Sequence, residues 1–266
     1  MKNSEELIDK KQEKLNKREA KKAQKEKIRI LKDEAKKIKK EQKEYDRAMR
    51  KNIVLTPWTK YYTNGVEEHL KYPNGTMVGY LLEAVARYPE DTAIEYYGRT
   101  YTYRAFYEMI RDTAKSLRAE GVKEGDRIAI FMPNTPQAVM MFYAANMVGA
   151  VAALIHPMSA ENEIQDYLNT SGATFLLTLD LIYEKIHNIV DNTKVNKIVV
   201  ASVGESLKNI KKFLYKFKSR GTVPKIELSD DIMTWKEFIN YGYDYEGEIA
   251  CLKGPNDPAV ILYSGG

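Results

Sequence analysis

The sequence predicts an α/β fold with a mostly parallel sheet, and the prediction rests on residues 126–155. Residues 128–132 are an apolar run of strand length, and Val151–Ile155 is a second one. Between them, Thr135-Pro136 is typical of a helix start, and Gly149 stands where that helix would end. Two strands joined through one helix lie parallel, and strands that are apolar throughout belong to a sheet covered on both faces.

The stretch before this unit is predicted to form a helix, a hairpin and a second helix. Thr76 is placed to cap a helix over 77–88, which Pro89 ends. Residues 92–96 and 99–103 flank a Tyr-Gly turn and are typical of a hairpin. Thr102 can then cap a helix that carries apolar residues at helical spacing as far as Gly121.

The chain after this unit is predicted to alternate helices with strands. Ser159 is expected to cap a helix that ends at Gly172. The elements predicted after it are a strand over 174–179, a helix over 182–190, a strand over 197–201, a helix over 206–218, a helix from 235 to about 241, and a final strand over 259–263. The helix over 206–218 is basic and amphipathic, and we interpret its apolar side as facing the core rather than a membrane or partner. Thr234 and Glu237 have the spacing of a capping box.

The charge of the chain is concentrated at its beginning. Residues 1–50 contain 19 Lys and Arg against 11 Asp and Glu, a net charge of +8, whereas residues 51–266 carry a net charge of −3. We therefore divide the chain into a charged helical or coiled-coil-like extension over 1–50 and a folded domain over 51–266. The sequence has a single cysteine, no signal-peptide core and no apolar run of about 18 residues, which favours a soluble, cytoplasmic protein.

Three interpretations of the extension are open. The first is a solvated helix or partly disordered segment, which its composition favours. The second is helix pairing through Leu31, Ile38 and Tyr45, which are spaced by seven. The third is attachment to anionic lipid or nucleic acid. Sparse apolar residues argue against membrane contact, and alternating basic and acidic residues with few aromatics argue against nucleic acid.

Several ordered motifs resemble the adenylate-forming superfamily, most closely the long-chain fatty acyl-CoA synthetases. They are the Tyr101-Thr102-Tyr103 segment, residues 125–178, and the terminal strand with Ser264-Gly265-Gly266. The resemblance implies the N-terminal subdomain of that fold, incomplete, with a mostly parallel sheet flanked by helices. It also implies that Ser264, Gly265 and Gly266 begin the nucleotide phosphate-binding loop. The Thr-Thr-Gly-x-Pro-Lys-Gly that should follow lies beyond Gly266.

In this family a fatty or other carboxylic acid is activated with ATP and Mg²⁺ to an acyl-adenylate, and the acyl group then passes to coenzyme A. The chain is accordingly interpreted as the N-terminal portion of an acyl-CoA synthetase that is inactive by itself. It is either a truncated gene product or the first piece of a split coding sequence, and a complementing C-terminal chain is a candidate partner. The alternative is a non-catalytic binding or scaffold protein derived from the same fold. No catalytic residue and no metal ligand is assigned. His156 follows a strand directly, at the edge where open α/β sheets place ligands; it is a possible substrate-side residue, although packing at the turn before Pro157 is the simpler interpretation.

Overall fold

The computed structural model describes residues 58–67, 70, 72, 74–207, 224, 226–251 and 253–264, with five single residues of the extension. The chain forms two compact units, Met1–Tyr72 and Pro73–Gly266. In the first unit, Arg29, Lys36, Lys40, Lys43 and Arg47 are helical and exposed, and Thr59–Tyr61 forms a 3₁₀ turn. The predicted pairing residues Leu31, Ile38 and Tyr45 lie outside the described residues. None of the helices formed by the described part of the chain is long and apolar enough to cross a bilayer.

The second unit is built on a six-stranded sheet in which every pairing is parallel. Its strands are β3 (Arg127–Phe131), β4 (Val151–Ile155), β5 (Phe175–Leu179), β6 (Lys197–Ala201), β7 (Ile232–Thr234) and β8 (Val260–Leu262), in the spatial order β7-β6-β5-β3-β4-β8. A separate antiparallel hairpin pairs β1 (Thr92–Tyr96) with β2 (Arg99–Thr102). The prediction of a mostly parallel sheet is therefore confirmed.

Helices cover both faces of the sheet, as the fully apolar strands require. They are α1 (Met77–Arg87), α2 (Tyr103–Ala119), α3 (Pro136–Met147), α4 (Glu161–Ser171), α5 (Tyr183–His187) and α6 (Trp235–Tyr241). One core packs α1, α2, α3 and α6 against alternate strand residues such as Ile128, Leu177 and Val199. A second core packs α4 and α5 against the intervening residues, including Phe131 and Leu176.

The predicted helix starts are confirmed at four of five caps. The Thr76, Thr102, Thr135 and Thr234 side chains accept hydrogen bonds from backbone amides three residues ahead. The predicted cap at Ser159 is wrong by one residue. Helix α4 begins after Ala160, whose amide donates to the Glu163 carboxylate at 2.9 Å. Because that carboxylate already satisfies the first exposed amide, the helix start follows Glu163 rather than the Ser159 hydroxyl.

Two further predictions need correction. The helix predicted over 182–190 is broken into a 3₁₀ turn (Asp180–Ile182), the short helix α5 and a second 3₁₀ turn (Val190–Asn192). The helix predicted from Ser206 does not start there, because Val203–Ser206 is a 3₁₀ turn and Leu207 is extended. Residues 208–218 of that predicted helix lie outside the described residues. Strand β7 was not predicted.

Candidate functional site

A cavity of about 770 Å³ opens at the carboxyl ends of β3, β4 and β8. This is the edge at which open parallel sheets place their ligands. Most of the wall is apolar, supplied by the strand ends, by α3 and by the turn after β4. These residues are Ile130, Met132, Ala138, Val139, Phe142, Leu154, Ile155, Pro157, Met158 and Leu262. The polar lining residues are Asn134, His156, Ser159, Glu163, Tyr167 and Tyr263. An apolar cavity with a few polar groups is the usual character of a small-molecule site.

His156 lies in the wall of this cavity and is exposed. It follows the last residue of β4 directly, and its Nδ1 accepts a hydrogen bond from the Met158 amide at 3.2 Å. Since an accepting Nδ1 carries no proton, the neutral ring holds its proton on Nε2 and presents a donor there. The geometry therefore leaves His156 able to donate one hydrogen bond to a ligand, in addition to its role in the turn.

Tyr263 joins the end of β8 to helix α4 at the rim of the cavity. Its ring stacks on that of Tyr167 with the centroids 4.1 Å apart, and its hydroxyl donates to the Tyr167 carbonyl oxygen at 2.9 Å. Burial is the main cause that raises the pKa of the Tyr263 hydroxyl. The side chain therefore stays neutral near pH 7 and holds the final strand against the helix.

Ser264, the first residue assigned to the phosphate loop, follows Tyr263 and is exposed. Gly265 and Gly266 lie outside the described residues. The loop therefore remains a prediction, and what the structure adds is the position of the strand that leads into it. That strand ends beside the cavity, because β8 pairs with β4 in parallel and both run to the same edge.

A second set of polar residues lies beyond the ends of β5 and β6. Asp180 is buried, and its Oδ1 accepts the Leu181 amide at 2.8 Å. Burial raises the pKa of this carboxyl, and hydrogen bonds from Ser202 and Leu181 offset part of the effect. The buried amide of Gln137 bridges α3 to the neighbouring 3₁₀ turn, donating to the Ser202 carbonyl oxygen and accepting from the Ser206 hydroxyl. These contacts fasten a turn, and none of the residues lines the cavity.

The described residues contain no cluster of protein ligands for the Mg²⁺ that the family resemblance implies. Within them no three His, Cys, Asp or Glu side chains stand close enough to hold a metal ion. Glu163, the carboxylate in the cavity wall, is engaged in the start of α4. No chemical step that uses a metal can be derived from this part of the chain.

Most of the polar lining of the cavity was not predicted from the sequence. Asn134 and Tyr263 follow β3 and β8 by one to three residues. The rule that singled out His156, a polar residue just past the carboxyl end of a parallel strand, would have selected them as well. Tyr167 carried no such signal, since it reaches the cavity from the middle of α4.

Similar proteins are known for most of the chain. It is 28% identical over 214 residues to the long-chain-fatty-acid–CoA ligase of Bacillus subtilis, an alignment that covers 79% of this chain and 38% of the relative. Over 95 residues, 36% of this chain and 17% of the relative, it is 32% identical to 4-coumarate–CoA ligase 3 of Arabidopsis thaliana. The chain thus spans less than two fifths of the length of these relatives.

Solved structures share the fold. A long-chain-fatty-acid–CoA ligase from Archaeoglobus fulgidus superposes with a TM-score of 0.58 at 22% identity, covering 77% of this chain and 37% of that one. An anthranilate CoA ligase in complex with anthranoyl-AMP superposes with a TM-score of 0.59 at 17% identity, covering 73% and 33%. The sequence matches the family described as AMP-binding enzyme over residues 81–266. The chain therefore belongs to the family of AMP-binding enzymes.

Proposed function

We propose that this chain is the N-terminal part of an acid–CoA ligase that activates a fatty or other carboxylic acid with ATP and passes the acyl group to coenzyme A. The observation that carries the proposal is the convergence of β4 and β8 on one apolar cavity, with β8 leading into Ser264. Two curated relatives named as fatty-acid and coumarate CoA ligases support it. A cytoplasmic location and completion by a C-terminal chain belong to the same proposal.

The roles follow from position. His156 would donate a hydrogen bond from Nε2 to a ligand in the cavity, and the apolar wall would exclude water from it. Ser264, Gly265 and Gly266 would supply the first backbone amides around a phosphate. ATP would supply the leaving pyrophosphate, Mg²⁺ would neutralise phosphate charge, and coenzyme A would accept the acyl group. The described residues hold no group of three side chains that could bind a metal ion by themselves.

Because stabilising the transferred charge needs several positioned donors, and loss of even one such donor costs about 10²–10³ in rate, the 266-residue chain alone should not form an acyl-adenylate. The test is ATP–pyrophosphate exchange with a panel of fatty acids. Exchange should stay at background for this chain. It should appear in a chimera in which residues 81–266 replace the matched part of the Bacillus subtilis relative.

The chimera also permits a residue-level control. His156→Ala in the chimera should lower the exchange rate, because it removes the Nε2 donor from the cavity wall, whereas Ser229→Ala, at an exposed serine outside the cavity lining, should leave the rate unchanged. Exchange by the 266-residue chain alone would contradict the proposal. A folded chimera without exchange would favour the alternative, a binding or scaffold protein built on the same fold.

A further inference from the structure

The first 50 residues carry basic residues at helical spacing. Arg29, Lys36, Lys40, Lys43 and Arg47 are helical and exposed, and they are separated by 7, 4, 3 and 4 positions. At about 100° and 1.5 Å per residue, they fall within an arc of about 60° and extend over about 27 Å of helix axis. We call these five residues the basic stripe.

The sequence continues the same spacing on both sides of the stripe. In a helix of about 100° per residue, every position from 11 to 50 within an arc of about 80° around the stripe is Lys or Arg. The members outside the described residues are Lys11, Lys14, Arg18, Lys22, Lys25, Lys32 and Arg50. None of the 11 acidic residues within positions 1 to 50 falls in that arc. Basic and acidic residues that alternate along the sequence would thus separate onto different faces.

A helix that is merely solvated gains stability from acidic residues four positions from the stripe, such as Asp33 and Glu44, but none from the alignment of the cations with one another. Opposite charges three or four residues apart stabilise a helix, and like charges at the same spacing destabilise it by similar amounts. The stripe places like charges at this spacing along its length. Arg29 and Lys40 also interact with other residues of the protein, so what identifies the stripe is its exposure and its alignment. A row of exposed cations becomes favourable when a polyanion lies against it.

We propose that the basic stripe binds the anionic surface of a lipid bilayer, with the helix lying flat on the headgroups. A straight row of cations about 27 Å long can meet a flat anionic surface with every member at once. The phosphates of a nucleic-acid duplex wind around its axis, so a straight row meets them only where it crosses a strand. The stripe itself holds no apolar residue, which makes the attraction electrostatic rather than insertive. This inference does not depend on the proposed enzymatic function.

The test is flotation of the full 266-residue chain with lipid vesicles, a method that separates bound protein from aggregates. The chain should float with mixed phosphatidylcholine–phosphatidylglycerol vesicles at about 0.15 M salt and not with phosphatidylcholine alone. Binding should weaken steeply as the salt concentration rises, because the charges are solvent-exposed. Equal flotation with both kinds of vesicle, or none with either, would overturn the proposal.

Two variants with the same net charge distinguish the effect of the basic stripe from the effect of the total charge of the chain. The stripe variant replaces all five residues with glutamine: Arg29→Gln, Lys36→Gln, Lys40→Gln, Lys43→Gln and Arg47→Gln. The matched control replaces five lysines outside the arc: Lys10→Gln, Lys17→Gln, Lys27→Gln, Lys37→Gln and Lys39→Gln. Glutamine is a good helix former, so circular dichroism should show equal helix content in both.

Each basic residue near an anionic surface increases the partition coefficient onto the membrane about fivefold. The affinity of the stripe variant for anionic vesicles should therefore fall at least about 100-fold, and that of the control variant less than about tenfold. Equal losses would mean that only the net charge matters, and would overturn the role of the face. Tighter binding to duplex DNA or RNA than to vesicles, lost in the stripe variant, would assign the stripe to nucleic acid instead and would also overturn the proposal.

Discussion

Tyr263, just past β8, stacks on Tyr167 of α4 with the ring centroids 4.1 Å apart and the planes inclined by 20°. Strand β8 has three residues, and within the described part of the chain it pairs only with β4. Two of them, Val260 and Leu262, expose 37% and 69% of their surface. The stack and its hydrogen bond therefore hold the strand that closes one side of the cavity.

Tyr263→Phe should lower the free energy of unfolding by about 1 kcal/mol, because it removes one hydrogen bond. Tyr263→Ala should cost more, since the aromatic stack is lost as well. Urea unfolding measures both, and amide hydrogen exchange should show β8 losing protection first. Tyr243→Ala, at a tyrosine 80% exposed, is the matched control. If the amide hydrogens of β8 exchange at the same rate in Tyr263→Ala as in the wild type, contacts other than those of Tyr263 hold this strand.

Gly242→Ala should destabilise the second unit by about 2–3 kcal/mol through overpacking. A Cβ at Gly242 would overlap the Cα, backbone nitrogen and Oγ of Ser116, so the end of α6 would have to move away from α2. Gly254→Ala is the control, because its Cβ would meet only Asp257 Oδ2, at an ordinary 3.6 Å. The melting temperatures of the two variants should differ clearly. Equal values would show that α6 shifts at little cost.

Asp180→Asn should become more favourable relative to the wild type as the pH rises from 4 to 7. Burial raises the pKa of this carboxyl in the folded protein above its unfolded value of about 3.9. The stability that it contributes is thus full below the unfolded pKa and is lost as the pH rises through the folded pKa. Asparagine keeps an oxygen that can accept the Leu181 amide. Urea unfolding at each pH measures the difference in free energy of unfolding between Asp180→Asn and the wild type. The control for the loss of one charge is Asp244→Asn, at an exposed position. If the difference for Asp180→Asn changes with pH no more than the difference for the control, the prediction is wrong.

Deleting residues 1–50 should leave the melting temperature of the remainder nearly unchanged. The described residues of this segment are exposed, and a solvated helix buries little apolar surface. Thermal unfolding followed by near-ultraviolet circular dichroism reports on the folded unit, whose tyrosines supply the signal. A fall of many degrees on deletion would show that the segment packs against the folded part of the protein.

Much of the sheet was predictable because its five-residue strands are mostly apolar and lie between clear helix signals. The bounds of β4 and β6 are those expected, and those of β3, β5 and β8 differ by one residue at one or both ends. Strand β7 was missed because three residues are too few to show a period. It exists because Ile232, Met233 and Thr234 pair with Ile198, Val199 and Val200, a contact between segments distant in sequence.

The candidate site was less predictable, for a similar reason. His156 was found because it follows a strand, a local signal. The rest of the cavity comes from three strands and two helices that meet only in the folded chain, and the side chain of Tyr167 is positioned by its partner Tyr263, 96 residues away. The predicted cap at Ser159 was wrong because the Glu163 carboxylate competes with the Ser159 hydroxyl to cap the same helix. The amino-acid composition does not show which of the two groups determines where the helix begins.

The pairing of β8 with β4 has a consequence for the order of folding. Ala153 pairs with Ile261, 108 positions later in the chain. Closing so long a loop lowers the conformational entropy of the chain before the contacts between the two strands can form, and contacts between segments distant in sequence slow folding for this reason. During synthesis β3 to β7 can associate before β8 has emerged, and until then β4 is an uncovered edge able to pair with another chain. An aggregation-prone interval during synthesis should therefore fall just before β8 emerges.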